Sequence, residues 1–263
     1  MDSEINHGSD STTVASRVAQ PEIDELAIEQ LPIASRRHLA VLLTIQSAIA
    51  INGSLGVSRL TTIRDPTAFQ FYLRCSYLFG IGLAWFQVFF VVYGLRKTQT
   101  SISSLIGSRW NSTWAVVKDV LLGVAFWLLW IVVLIVLVIA FQPHHAKTPS
   151  YIALLPRTTI DVGLWFAISL SAGFCEELVF RGYLQRQFLA LTKNQSYAVI
   201  GQAIVFGLGH AYQGSFNMMA ISVEGILLGW LAARRKSLRP GMIAHAWQDA
   251  VIGAMFFAMN HKR

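Results

Sequence analysis

The run VGLWFAISLSAGFCEELVFR, from Val162 to Arg181, decides how this chain folds. From Val162 to Phe174 it carries no charge, and then Glu176, Glu177 and Arg181 arrive with no turn residue to end it. A charged side chain at the centre of a membrane helix costs roughly 2.5–3.5 kcal/mol on insertion scales, so it needs a partner or a task. Glu177 and Arg181 are four apart with the acid N-terminal, the favoured ion-pair orientation on one helix face. Glu176 lies about 100° round an α-helix from Glu177 and does not share that contact well. One carboxylate is therefore expected to be neutralised, and the other is left to face something else.

Composition agrees with a membrane setting. The 263 residues are 54% hydrophobic and 13% charged, and the mean hydropathy is +0.50; soluble domains carry about 25% charged residues. The formal charge of +7 raises nucleic acid as a partner. The basic residues are scattered at the ends of apolar runs, which fits the positive-inside rule and not a nucleic-acid patch. Cys75 and Cys175 each fall in or beside an apolar segment and read as small core residues, not a disulfide.

Residues 1–37 are polar, without the apolar stretch of a signal peptide, and read as a disordered cytoplasmic tail. Residues 38–263 read as one all-α transmembrane bundle. Apolar runs at about 39–57, 75–95, 120–141, 162–180, 196–212, 217–233 and 240–259 give about seven spans, each near the ~20 residues a crossing needs. With the N-terminus inside, 14 Lys and Arg fall on the inner side and 7 on the outer, which supports a multi-pass cell-membrane protein with a cytoplasmic N-terminus. His144 and His145 read as plain polar residues of a loop.

Four polar residues interrupt the later spans: Glu176, His210, His245 and Asp249. Glu176 and His210 lie nearly equidistant from the polar break Lys193-Asn194, so an antiparallel hairpin turning there sets them at one height, about 17 residues from the turn. His245 and Asp249 are four apart, on one helix face. Three helices can thus converge on one polar cavity, with the groups that water activation or metal ligation requires. RGYLQRQ, residues 181–187, is too polar for lipid contact, so Arg181, Gln185 and Arg186 are expected to protrude and leave a wide cavity. Glu224, beside Gly225 and Gly229, reads as a buried acid at a close helix contact.

These residues resemble a known family. EELVFR is similar to the EExxxR motif of the CPBP intramembrane proteases, the CAAX-protease and bacteriocin-processing group. FGLGH resembles their FxxxH motif, and HAWQD their HxxxN/D motif, here ending in Asp249. The resemblance covers about residues 160–255. It implies an intramembrane endopeptidase acting on a membrane protein or peptide substrate in the lipid bilayer, with Glu176 as general base and His210 helping to position or deprotonate the water. His245 and Asp249 are then expected to polarise the carbonyl or hold the oxyanion, with Glu177 and Arg181 behind them. It leaves the metal open: with Zn²⁺ bound, Glu176, His210 and His245 supply three ligands and leave a water position, whereas a metal-free mechanism leaves Glu176 to act directly. Two other classes place acids and histidines in spans, a transporter or proton relay and a non-catalytic membrane adaptor.

Overall fold

The computed structural model describes residues 31–141 and 150–260, and all regular structure in them is helical. Most of the expected tail, and His144-His145, lie outside the described residues. Helix α1 spans Arg36–Leu60, α2 Pro66–Arg96, the short α3 Ile102–Ile106 and α4 Thr113–Phe141. Helix α5, Thr159–Glu176, runs on through a π-helical stretch, Glu177–Leu184, into α6, Gln185–Thr192. Helices α7 (Gln195–Gly209), α8 (Ser215–Arg235) and α9 (Arg239–Asn260) complete the bundle.

Local chemistry sets the helix starts. Ser35 caps α1 by accepting from His38 N at 3.2 Å. Asp65 caps α2 by accepting from Ala68 N at 2.7 Å, with Pro66 in the first turn, where its missing N–H costs nothing. Thr158 and Asp161 form a reciprocal capping box on α5. Asp161, fully buried, also pairs with Arg74 of α2 at 3.0 Å. Lys193 takes the left-handed conformation (φ 55°) that ends α6, and Asn194 caps α7 through Ser196 N and Tyr197 N. The polar break at Lys193-Asn194 is thus a helix-to-helix turn, as its residues suggest.

Each expected apolar run is a helix. Six are long and apolar enough to cross a membrane: α1, α2, α4, the continuous Thr159–Thr192 rod, α8 and α9. The run at 196–212 is the 15-residue α7, about 22 Å long at 1.5 Å per residue. The protein is a multi-pass membrane protein. Large apolar side chains along α4, such as Leu128, Val132, Ile135 and Ile139, are half exposed or more and form an outward face for lipid.

The π-helical stretch is the centre of the bundle. Every residue from Glu177 to Leu184 is buried, and Leu178, Val179, Tyr183 and Leu184 join Leu42 of α1, Val91 and Leu95 of α2 and Phe206 of α7 in the main core. A second core joins Phe126 and Trp130 of α4 to Ala220 and Leu228 of α8 and Ala244 of α9. The expectation that Arg181 and Gln185 protrude is overturned: they are 2% and 5% exposed. The bundle itself meets part of the polarity of this stretch, with Gln185 Oε1 left without a hydrogen-bond partner. Gln185 Nε2 donates to Gly229 O at 3.0 Å, and Gln187 clasps the chain ahead of α1, accepting from Ile33 N (3.1 Å) and donating to Ala34 O (2.9 Å).

Contacts fix which helix ends share a side. The starts of α1, α4 and α9 lie with the ends of α2, α6 and α8, as shown by Gln187 with Ile33, Arg235 with Asp119 at 3.5 Å, and Arg239 with Ser108 O. That end collects Arg36, Arg37, Lys97, Lys118, Arg234 and Lys236. Asn260 lies at the opposite end, because α9 runs antiparallel to α5.

Candidate active site

Two glycines bring the site together. A Cβ on Gly173 of α5 would stand 2.6, 2.7 and 2.9 Å from the Cβ, N and Cα of Ala246, so α5 and α9 meet backbone to side chain beside His245. A Cβ on Gly241 would stand 3.0 Å from Glu177 Oε2. Small residues of this kind are what permits close helix approach in membranes. Farther out, Trp165 Nε1 of α5 donates to Asp249 O of α9 at 2.7 Å, tying the two helices a second time.

His245 is consequently ringed by acids. Its Nδ1–H donates to Glu177 Oε1 at 3.1 Å. Its Nε2 faces Glu176 Oε2 at 3.8 Å and Asp249 Oδ2 at 3.7 Å. Glu177 Oε1 also stands 3.0 Å from Arg181 Nη1, both side chains being out of solvent; the angle is too oblique for a directed hydrogen bond, so this is a charge pair. The guanidinium is further held over the Phe206 ring, 4.2 Å from its centroid.

The i,i+4 pairing of Glu177 with Arg181 is therefore present. The separation of Glu176 from Glu177 is only half right, because both acids reach one imidazole from its two nitrogens. The reason is tertiary: Gly173 and Gly241 let α9 close on this helix and set the His245 ring between the two acids. Just beyond them the α-helix gives way to i→i−5 bonding, as in Gln185 N donating to Phe180 O, a feature that recurs at functional sites. The role of Glu177 as an anchor for His245 was not legible in the sequence; no spacing rule links residues 177 and 245.

His210 occupies the bend after α7. Its Nδ1–H donates to its own helix, to Phe206 O at 2.9 Å, and its ring sits edge-on to Phe206 at 4.8 Å. That bond fixes the tautomer and leaves Nε2 for the cavity. His210 makes no hydrogen bond or ion pair with Glu176, His245 or Asp249 among the described residues. It nevertheless shares with them one cavity of about 1380 Å³, walled mostly by apolar side chains of α1, α2, α4, α5, α7, α8 and α9. Glu176 Oε2, turned toward His245 Nε2, is shielded from solvent and has no hydrogen-bond partner.

The same cavity admits residues that the spacing argument passed over. Glu224 does sit at a close contact, since a Cβ on Gly225 would stand 3.0 Å from Ala203 Cβ. It also lines the cavity, with Gln248 Nε2 donating to its Oε1 at 2.9 Å. Gln248 follows His245 by three positions, a signal that it shares that helix face. Tyr212, just past His210 and outside the long spans, lines the cavity too. Burial pushes its phenol up to about 12, so it stays a neutral hydroxyl at physiological pH.

No three His, Cys, Asp or Glu side chains among the described residues are grouped so as to hold a metal ion. Glu176, His210 and His245 share the cavity without converging as a ligand set.

A buried carboxylate–imidazole cluster inside a multi-pass helical bundle holds the groups that hydrolysis within a membrane requires. Residues 158–251 match the family model described as type II CAAX prenyl endopeptidase Rce1-like. That stretch, about a third of the chain, is similar to the family and includes every residue of the cluster. No curated protein and no solved structure matches the chain.

Proposed function

We propose that this protein is an intramembrane endopeptidase that cleaves a prenylated, membrane-anchored peptide by direct activation of water at Glu176. The observation that carries the reading is the environment of His245: one imidazole with Glu177 on Nδ1, Glu176 and Asp249 at Nε2, and a large cavity in front. Glu176 Oε2 is buried without a hydrogen-bond partner, suited to accept a proton from an attacking water. The 3.7–3.8 Å gaps around Nε2 are too long for hydrogen bonds, and a reacting oxygen entering there meets the imidazole edge and the Asp249 carboxyl together.

The second half of the reaction is electrostatic. Glu177, held by Arg181, fixes the ring as the acid of a hydrolase triad fixes its histidine, so Nε2 is the nitrogen presented to the reacting carbonyl. His245 as the imidazolium, with an Nε2–H, and Asp249 as the neutral acid then donate to the oxygen on which charge develops, the step in which preorganised dipoles contribute most. Glu176 passes the proton it took from water to the leaving amine as the C–N bond breaks. His210, its Nδ1–H committed to Phe206 O, presents Nε2 to the water from the other helix. The basic helix ends support an N-terminus on the cytoplasmic side, with the prenyl-bearing segment entering from the bilayer.

The test is a prenylated peptide ending in a CAAX sequence, presented to the purified full chain in lipid nanodiscs. Wild type is expected to release the terminal residues, and Glu176→Gln to lose at least 10³-fold in rate (an order-of-magnitude expectation for a water-activating group) with unchanged melting. Cleavage by Glu176→Gln at the wild-type rate overturns the assignment. Chelation separates the two routes to an activated water: EDTA is expected to leave activity intact, and loss of activity restored by Zn²⁺ replaces direct activation with a metal-bound water.

A further inference from the structure

Peptide hydrolysis needs more than an activated water; the scissile bond must also be held in register with it. The groups around His245 are committed to that ring or to the reacting atoms. Of the further polar pairs that line the cavity, Glu224 of α8 and Gln248 of α9 is the one that draws on the helix carrying His245 and Asp249.

Several observations define the pair. Glu224 is 4% exposed, deep for a carboxyl group. Its position follows from α8 packing tightly on α7: a Cβ on Gly225 would meet Ala203 at 3.0 Å, and one on Gly229 would meet Gln202 Nε2 at 2.7 Å. Gln248 comes from the helix that carries His245 and Asp249. The 2.9 Å bond from Gln248 Nε2 to Glu224 Oε1 is the only hydrogen bond either side chain makes among the described residues. A carboxylate can only accept, so Glu224 dictates which way the amide is turned. The NH₂ end faces Glu224, and Gln248 Oε1 is left to the cavity as an acceptor, with the second N–H beside it.

A carbonyl acceptor and an N–H donor side by side are complementary to one peptide unit of an extended chain, as in strand-type recognition of a peptide backbone. Resting on the protease reading above, we infer that Gln248 holds the substrate main chain next to the scissile bond and that Glu224 is a positioning residue that fixes the orientation of the Gln248 amide. Glu224 takes no proton in the reaction. The partner is the peptide backbone itself, so the pair contributes to register and not to side-chain preference.

The experiment uses the full chain in nanodiscs and a set of prenylated CAAX peptides, each N-methylated at one backbone amide around the cleavage point. Gln248→Ala is expected to raise KM by about 3–10-fold, the worth of one lost peptide hydrogen bond, with kcat changed less. One N-methylated peptide is expected to show the same loss on wild type and no additional loss on Gln248→Ala, because both changes remove the same bond. Glu224→Gln keeps an acceptor for the Gln248 amide but no longer fixes its orientation, so it is expected to keep kcat near wild type with a KM rise smaller than that of Gln248→Ala, whereas Glu224→Leu is expected to reproduce the KM defect of Gln248→Ala. A kcat loss in Glu224→Gln of 100-fold or more, an order of magnitude typical of general acids, overturns the positioning role in favour of proton donation. N-methyl penalties that all persist unchanged in Gln248→Ala overturn the backbone contact. Failure of wild type to cleave any prenylated peptide is a different result, for it removes the protease reading on which the pair depends.

Discussion

Gly173→Ala changes no catalytic atom and should still disable the site. The added Cβ would sit 2.6–2.9 Å from the Cβ, N and Cα of Ala246, where ordinary contact begins at 3.4 Å. Two of those atoms are backbone, so α9 itself must retreat, by roughly 0.7 Å. Overpacking of this kind costs about 1–3 kcal/mol, which a bundle with three core clusters tolerates. The site does not, because His245 is the next residue along α9 and already stands 3.7–3.8 Å from Glu176 and Asp249. A misplacement approaching 1 Å costs on the order of 10²-fold in rate. The expected outcome is therefore a folded protein, a few degrees less stable, with activity on a prenylated peptide down by about two orders of magnitude. Ala246→Gly in the same chain removes one of the three clashing atoms and should restore part of the loss. Wild-type activity in Gly173→Ala would refute the claim that the α5–α9 approach sets the geometry.

Three further outcomes are expected. Glu177→Gln strands the buried Arg181 charge and releases the His245 ring, so it should lose roughly 3–5 kcal/mol of stability and activity as well; a stable, active variant contradicts the double role. If Glu176 and His245 serve one transition state, Glu176→Ala with His245→Ala should be hardly slower than the poorer single variant, and additive rate losses would assign them to separate tasks. In a background without Cys75 and Cys175, an impermeant thiol reagent applied to intact cells should label Asn260→Cys and not Ser3→Cys; the reverse pattern inverts the proposed orientation.

The residues themselves determined a good deal of this protein. Uncharged runs near the length of a bilayer crossing make a polytopic helical bundle the only way to satisfy every backbone group in lipid. Acids and histidines inside such runs mark where chemistry is expected, and Lys193-Asn194 reads correctly as the turn between two helices. These features are local, since hydropathy, caps and i,i+4 pairs depend on neighbours a few positions away. What the tertiary structure alone decided is how the charged groups share one another. Glu177 reaches Arg181 by spacing but His245 only because Gly173 and Gly241 let α9 close on α5, a contact across some 70 residues of sequence. The polar stretch after Arg181 looked fit for water and is instead buried, because Gly229 O, Ile33 N and Ala34 O supply partners from distant segments. Glu224 looked like a packing acid until α9 set Gln248 beside it. Periodicity tells which face of a helix is polar; which atoms meet there depends on how closely two helices approach, and that is settled by the absence of a single Cβ.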